Sequence, residues 1–245
     1  MPSVTTEIIS RHRVPEQDLL AMLQLHRQSF ARVDEAKFRA DLDEKDWVIA
    51  LRDASGLIVG FSTQRLVSLE LEGTTHRFLF SGDTVVERTH RRQTGLAGAF
   101  GHLMLRLIEL HGEDKLYWFL ISKGFRTYRF LPVFFRRFHP DPLDDTGQAG
   151  RLRPLLDGVA TWMFGPAYAP DRGVVTLDTP TDRLCGADAE VPPSRRRDAY
   201  IRFFLDANPE WCGGVELACL APIRHDNLND SALRVIARTH PRWLE

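Results

Sequence analysis

The chain has 245 residues, enough to bury a substantial core in one elaborated domain. Hydrophobic residues make up 43% and charged residues 27%, the balance of a globular protein and not of a disordered one. A formal net charge of −1 excludes a general electrostatic binder of nucleic acid or membrane surfaces.

The elements follow in chain order. Residues 1–7 lack a basic region followed by an apolar run, so no signal peptide is read there. Apolar positions at Leu19, Leu20, Leu23, Leu25 and Phe30 predict a helix over 16–30, with Pro15 at its start. A second, short helix is expected over 35–42. Residues 47–51 and 57–63 read as a hairpin around the Gly-containing turn at Asp53 to Gly56. Pairing is expected to continue through 67–71, turn at Glu72 and Gly73, and return along 77–86. Residues 87–94 are polar and basic. An amphipathic helix follows over 95–110, then a buried strand over 115–121.

Residues 124–138 are dense in aromatic side chains, with Pro132 beginning or kinking a helix. Residues 139–150, rich in Pro, Asp and Gly, are the best linker candidate. A helix is expected over 152–164, mostly loop over 176–193, an apolar segment at 200–205 and a strand over 215–223. No stretch reaches the roughly 18 apolar residues of a membrane span. Cys185, Cys212 and Cys219 show no CxxC spacing, and an odd count predicts free thiols in a reducing compartment, with the cytoplasm as the expected location. The nine histidines include no HExxH pair, so no metal site is expected. Asn208 to Glu210 and Asn227 to Asn229 read as turn chemistry.

The chemistry concentrates between the strand ending near Val86 and the helix opening at Gly95. Free amides at a helix N-terminus, with the positive end of the helix dipole, can hold a diphosphate. Arg91, Arg92 and Thr94 add charged and hydroxyl donors, and small residues at 95–101 let a backbone approach a ligand. The run Arg92-Gln93-Thr94-Gly95-Leu96-Ala97 resembles the [Gln/Arg]-x-x-Gly-x-[Gly/Ala] coenzyme A loop of the GNAT-type N-acyltransferases. The preceding order of helix, hairpin, long strand, loop, helix and strand resembles that family too, over about residues 16–140.

The resemblance implies an α/β (α+β) fold: a central mixed, mostly antiparallel sheet flanked by helices. Residues 1–140 would form the acyl-CoA-binding core, and 141–245 a C-terminal extension completing the sheet and covering the substrate site. It implies transfer of an acyl group to a small-molecule amine from acetyl-CoA or a longer acyl-CoA, or from the pantetheine of an acyl carrier protein. The aromatics of 125–138 raise a long-chain acyl tunnel as a further expectation beside their reading as core. Thr84, Val85 and Val86 would meet the pantetheine arm, and their strand would splay from the 117–121 strand to seat the thioester.

Asp83 and Glu87 are the candidate bases, Asp83 leading for its more apolar surroundings, with His90 third. Gly82 beside Asp83 also suits a bulge. Phe135 stands where the family often carries its tyrosine acid and cannot donate a proton, which leaves Tyr128 as the candidate acid. Ser122, Lys123 and Arg126 are the candidate substrate-binding residues, on an edge that commonly carries binding groups. The alternative function is a non-catalytic module of the same fold that binds an acyl thioester or a protein partner.

Overall fold

The computed structural model describes residues 4–30, 33–177, 184 and 190–245. The chain opens with a strand not expected from the sequence, β1 (Thr5–Ser10), followed by α1 (Glu16–Ser29) and α2 (Glu35–Asp43). Pro15 occupies the N-cap of α1, and the Asp34 carboxylate caps α2 by accepting from the Lys37 amide. β2 (Trp47–Arg52) and β3 (Ile58–Leu71) join through a turn in which Asp53 accepts from the Ser55 and Leu57 amides and Gly56 takes φ 86°. β3 and β4 (Thr74–Val86) join through Glu72 and Gly73, at φ 51° and 71°. Left-handed conformations at both loop positions give the two-residue turn whose twist matches the strands it connects.

Next come α3 (Gly95–His111), β5 (Leu116–Ser122) and two short helices, α4 (Phe125–Tyr128) and α5 (Phe130–Phe134), with Pro132 inside the second. α6 (Arg153–Phe164), β6 (Tyr168–Ala169), β7 (Val174–Val175), α7 (Ala199–Ala207), β8 (Glu216–Pro222), α8 (Asp230–Ala237) and β9 (Arg242–Leu244) complete the chain. Most of the loop expected over 176–193, with Cys185, lies outside the described residues. Among those described, Cys212 is a free exposed thiol and Cys219 a free buried one, and no helix is long and apolar enough to cross a membrane.

The nine strands of the described residues form one sheet in the order β6-β7-β8-β5-β4-β3-β2-β1-β9. Neighbours run antiparallel except β4 with β5 and β1 with β9. The fold is thus a mixed, mostly antiparallel sheet with helices on both faces. The expected linker at 139–150 is instead fixed in place. His139 exchanges backbone hydrogen bonds of 2.7 and 2.8 Å with Leu220, and the Asp141 and Asp144 carboxylates accept from amides of their own loop. Its Pro, Asp and Gly content breaks helix and strand, which in this chain builds turns rather than a tether. A line at residue 140 runs through one sheet, because β8 lies beside β5 and β9 beside β1.

One face of the sheet carries two apolar clusters. Leu19, Met22, Leu23, Phe38 and Leu42 of α1 and α2 pack on Ile9, Val48, Ala50, Phe61 and Val85. Leu156, Val159 and Ala160 of α6 pack on Val67, Phe78, Phe80 and Phe119. The opposite face carries the largest cluster, built on Leu103, Met104 and Leu107 of α3 with residues of α4, α5, α7 and α8.

Candidate active site at the strand splay

β4 and β5 run side by side from Arg77 opposite Leu116 to Ser81 opposite Leu120. Beyond Ser81, β4 pairs with β3 alone while β5 pairs on with β8, so a gap opens between two parallel strands. The divergence begins at a β-bulge. Ser62 faces Thr84 and Gln64 faces Ser81, so Thr63 alone opposes both Gly82 and Asp83. A bulge shifts the alternation of the strand that carries it. Asp83 therefore shares a face with Phe80, which a regular strand would have turned away. Gly82 is required there, because a Cβ on it would stand 2.6 Å from Thr63 Oγ1 and 3.0 Å from Lys45 Cε.

The shift points Asp83 at α1. His26 Nε2 lies 3.2 Å from Asp83 Oδ2, and the ring is wedged between Phe30, stacked at 4.5 Å, and Phe38 at 5.3 Å. His26 is buried, and no partner for its Nδ1 is found among the described residues. Nε2 donates to the carboxylate. Two lysines face the same carboxylate. Lys45 Nζ pairs with Asp41 at 2.7 Å and lies 5.7 Å from the centre of the Phe80 ring; Lys123 Nζ pairs with Glu216 at 3.3 Å and lies 5.2 Å from that of Phe30. Burial works to raise the Asp83 carboxyl, but the hydrogen bond and charge of His26 with the charges of Lys123 and Lys45 hold it below the ordinary carboxylate range. These groups form a polar strip between the two apolar clusters, walled by aromatic rings.

The other face of the splay carries an ordered row of hydrogen bonds. Trp118 Nε1 donates to Ser81 Oγ at 2.8 Å and Ser81 Oγ to Gln64 Oε1 at 2.7 Å; Gln64 Nε2 donates to Ser62 Oγ at 2.8 Å, and Ser62 Oγ meets Thr84 Oγ1 at 2.7 Å. Thr84 is exposed at the end of the row, while Val85 is buried under α1 and α2 and Val86 packs toward α3.

β4 leads through residues 87–94 into α3. Thr94 is the N-cap residue, but its hydroxyl makes no capping bond, and the first turn of α3 contains no acidic side chain. The amides of Gly95, Leu96 and Ala97 precede the first intrahelical donor, Gly98, whose N–H reaches Thr94 O. Arg91 and Arg92 are exposed beside them, Arg91 donating from Nε to Val86 O, and Gln93 is half-buried. The glycines of α3 pack closely against neighbouring elements. A Cβ on Gly95 would stand 2.7 Å from Thr6 Cγ2, one on Gly98 2.0 Å from Thr239 Oγ1, and one on Gly101 2.3 Å from Ile236 Cγ1.

The remaining candidates separate. Glu87 pairs with His90, Oε2 to Nδ1 at 2.9 Å, at the far end of β4. Tyr128 does not fit the acid expected of it: it is fully buried, its hydroxyl donates to Pro140 O at 2.8 Å, and burial pushes it far above the ordinary tyrosine range. Phe135 is buried and stacks on Trp118 at 5.3 Å. The rings at Tyr128 and Phe138 pack on Tyr200, Phe203 and Phe204 of α7 as core. Ser122 is buried beside Cys219, and Arg126 is exposed over the Phe125 ring. His26, Lys45, Thr63 and Glu216 were not legible as site residues.

No protein-family model matches the chain, and no characterised protein matches it in sequence. Among solved structures it is similar to a probable N-acyltransferase from Enterococcus faecalis, at TM-score 0.42 and 10% identity over 54% of this chain and 33% of that one. The chain thus spans about a third of that protein. It is also similar to the GNAT-family N-acetyltransferase YhbS from Escherichia coli, solved with CoA (TM-score 0.39, 18% identity, 53% of this chain and 69% of that one). A third similar structure is NAA60 from Arabidopsis thaliana with acetyl-CoA (TM-score 0.40, 15% identity, 55% and 87%). On its own strand order, the chain has a mixed, mostly antiparallel sheet in which parallel β4 and β5 part at a bulge and β4 runs through a basic loop into α3.

Proposed function

We propose that the chain is an acyltransferase that moves an acyl group from a coenzyme A thioester to the amine of a small molecule. The observation that carries this reading is the splay of β4 from β5 at the Gly82–Asp83 bulge, opening toward a basic loop and a helix N-terminus. The residues present fit such a donor. The amides of Gly95, Leu96 and Ala97 with Arg92 would hold its diphosphate, and the edge of β4 at Thr84, Val85 and Val86, where Arg91 already donates to Val86 O, its pantetheine arm.

The acceptor amine would enter on the face where Asp83 lies against His26. A carboxylate held below the ordinary range cannot draw a proton from a free alkylammonium, whose pKa is near 10. It can orient that cation, which must first give one proton to water to free the nitrogen lone pair, and it can accept the second proton once the neutral amine has bonded to the carbonyl carbon and become acidic. The C–N bond forms, the C–S bond breaks with its electron pair on sulfur, and the nitrogen's proton passes to Asp83. A thiolate, whose conjugate acid has a pKa near 8.5, leaves without an acid and is protonated by water, so the loss of Tyr128 and Phe135 as donors does not prevent turnover.

Those two side chains also support a second reading, a module that binds the thioester without turning it over. Thermal unfolding and calorimetry with CoA, acetyl-CoA and a long-chain acyl-CoA test the first step. A ligand at about a hundred times its Kd stabilises the fold by about 2.7 kcal/mol. No shift with any of them removes the acyl-donor reading. Binding of acetyl-CoA without thiol release across a broad amine panel selects the module, and the order of affinities gives the acyl length.

A further inference from the structure

The row of hydrogen bonds on the α3 face has a direction, and the direction is set by Trp118. An indole N–H only donates, so Ser81 Oγ must accept from it at 2.8 Å. Ser81 then sends its own proton to Gln64 Oε1 at 2.7 Å, which fixes the amide so that Nε2 faces Ser62 Oγ at 2.8 Å. Ser62, already accepting and almost fully buried, places its proton on Thr84 Oγ1 at 2.7 Å. In this direction the Ser81 and Ser62 hydroxyls each both accept and donate, so neither proton is left without an acceptor. Gln64 has no exposed surface, and Trp118 is locked by Phe100 at 5.0 Å and Phe135 at 5.3 Å, so the row has little freedom to reverse. Thr84 accepts at the end of the row, and no other hydrogen-bond partner of its hydroxyl is found among the described residues. Its proton is left for a ligand, at an exposed position on the length of β4 that has parted from β5.

We propose that Thr84 Oγ is an oriented hydrogen-bond donor into the splay, specific for a carbonyl oxygen of the acyl donor, and that Trp118, Ser81, Gln64 and Ser62 are the positioning residues that aim it. This rests on the acyl-donor reading above. Chains of hydrogen bonds polarise one another, so a donor at the end of four links is stronger than an isolated hydroxyl. The buried row would thus exchange a rotatable hydroxyl for a fixed one. The carbonyl is either an amide of the pantetheine arm or the thioester itself, and the two separate by ligand.

The test is calorimetric binding of CoA and acetyl-CoA to the full chain and to Thr84→Val, Thr84→Ser, Trp118→Phe and the Thr84→Val/Trp118→Phe double variant. A neutral hydrogen bond corresponds to about twofold to tenfold in Kd. Thr84→Val is expected to weaken binding by that factor and Thr84→Ser to retain it. Trp118→Phe, which removes the donor and leaves an aromatic ring, is expected to weaken binding in the natural background and to have no further effect once Thr84 is Val. A loss confined to acetyl-CoA assigns the thioester carbonyl, and a loss with both ligands assigns a pantetheine amide. Unchanged affinity in Thr84→Val, or a Trp118→Phe effect that adds in full to it, overturns the inference while leaving the acyl-donor reading in place. Failure of the unaltered chain to bind either ligand overturns both.

Discussion

At the scale of single residues, the pair of Asp83 and His26 gives the sharpest expectation. Five charged or titratable groups bear on the Asp83 carboxylate or its immediate partners: His26 from α1, Lys45 following α2, Asp41 of α2, which is tied to Lys45, Lys123 following β5, and Glu216 of β8, which is tied to Lys123. His26→Asn removes the strongest of the effects that lower the carboxyl, leaving burial to raise it. A reaction that needs Asp83 ionised loses rate as pH falls through that carboxyl's pKa, so the acid limb of the kcat/KM profile is expected to move to higher pH. A profile of unchanged position in His26→Asn would show that the histidine is only packing. Asp83→Asn is expected to lower kcat by about 10² to 10⁴, the usual contribution of a positioned proton acceptor.

Asp83 was legible as a candidate because a glycine and an acid interrupt an apolar strand. His26 was not, because it occupies a helical core position beside Leu25 and four residues after Met22, where a histidine reads as packing. Tyr128 misled for the converse reason. Sequence shows a tyrosine near the expected place, but not that Pro140 O takes its proton.

At the scale of elements, α3 shows why the loop motif alone is ambiguous. Its glycines at 95, 98 and 101 fall three residues apart and make one face on which Thr6, Leu51, Thr239 and Ile236 rest. His102, on the same helix, donates from Nε2 to Thr239 O at 2.7 Å and closes the C-terminal end of α8. Gly98→Ala sets two effects against each other. Helix propensity favours alanine by about 1 kcal/mol. The new methyl would meet Thr239 Cβ at 2.5 Å as well as its hydroxyl, and overpacking of this kind typically costs about 1–3 kcal/mol. The substitution is therefore expected to destabilise, by up to about 2 kcal/mol in urea unfolding, with α8 displaced first. A more stable Gly98→Ala would mean that α8 yields freely.

The long helices and the β2-β3-β4 meander were legible because their periodicity runs over many residues. β1, α8 and β9 were not expected, being short and decided by partners distant in sequence. Asn229 nonetheless carries the turn chemistry read for it, capping α8 through the Ser231 and Ala232 amides. Asn227, two residues earlier, is buried, bonding Arg137 and Pro222, a link that sequence alone does not reveal.

At the scale of the whole molecule, the two ends of the chain are fastened by one charged cluster. β9 lies parallel to β1 at the sheet edge, and Glu7 of β1 sits between Arg242 of β9 and Arg52 of β2, whose Nε it meets at 2.7 Å. Arg52 also grips Asp18 of α1 through both nitrogens, at 3.0 and 2.5 Å. Glu7 is buried, which works to raise its carboxyl, but the hydrogen bonds from Arg242 and Arg52 outweigh burial and hold it below the ordinary glutamate range. A group whose native pKa lies below its unfolded one binds fewer protons when folded, so stability rises with pH across the interval between them. The contribution of Glu7 is thus complete above the unfolded value near 4.3 and is lost as pH falls through the lower native value. Glu7→Gln leaves Arg52 half-paired in a buried site, and breaking such a cluster by removing one partner costs about 3–5 kcal/mol. The expected outcome is a large drop in stability at pH 7 and a shallower loss on acidification, because the variant has already given up the charge that acid would remove. An acid limb as steep in Glu7→Gln as in the unaltered chain would place the acid-sensitive carboxylates elsewhere, with Asp83 against His26 the next to test.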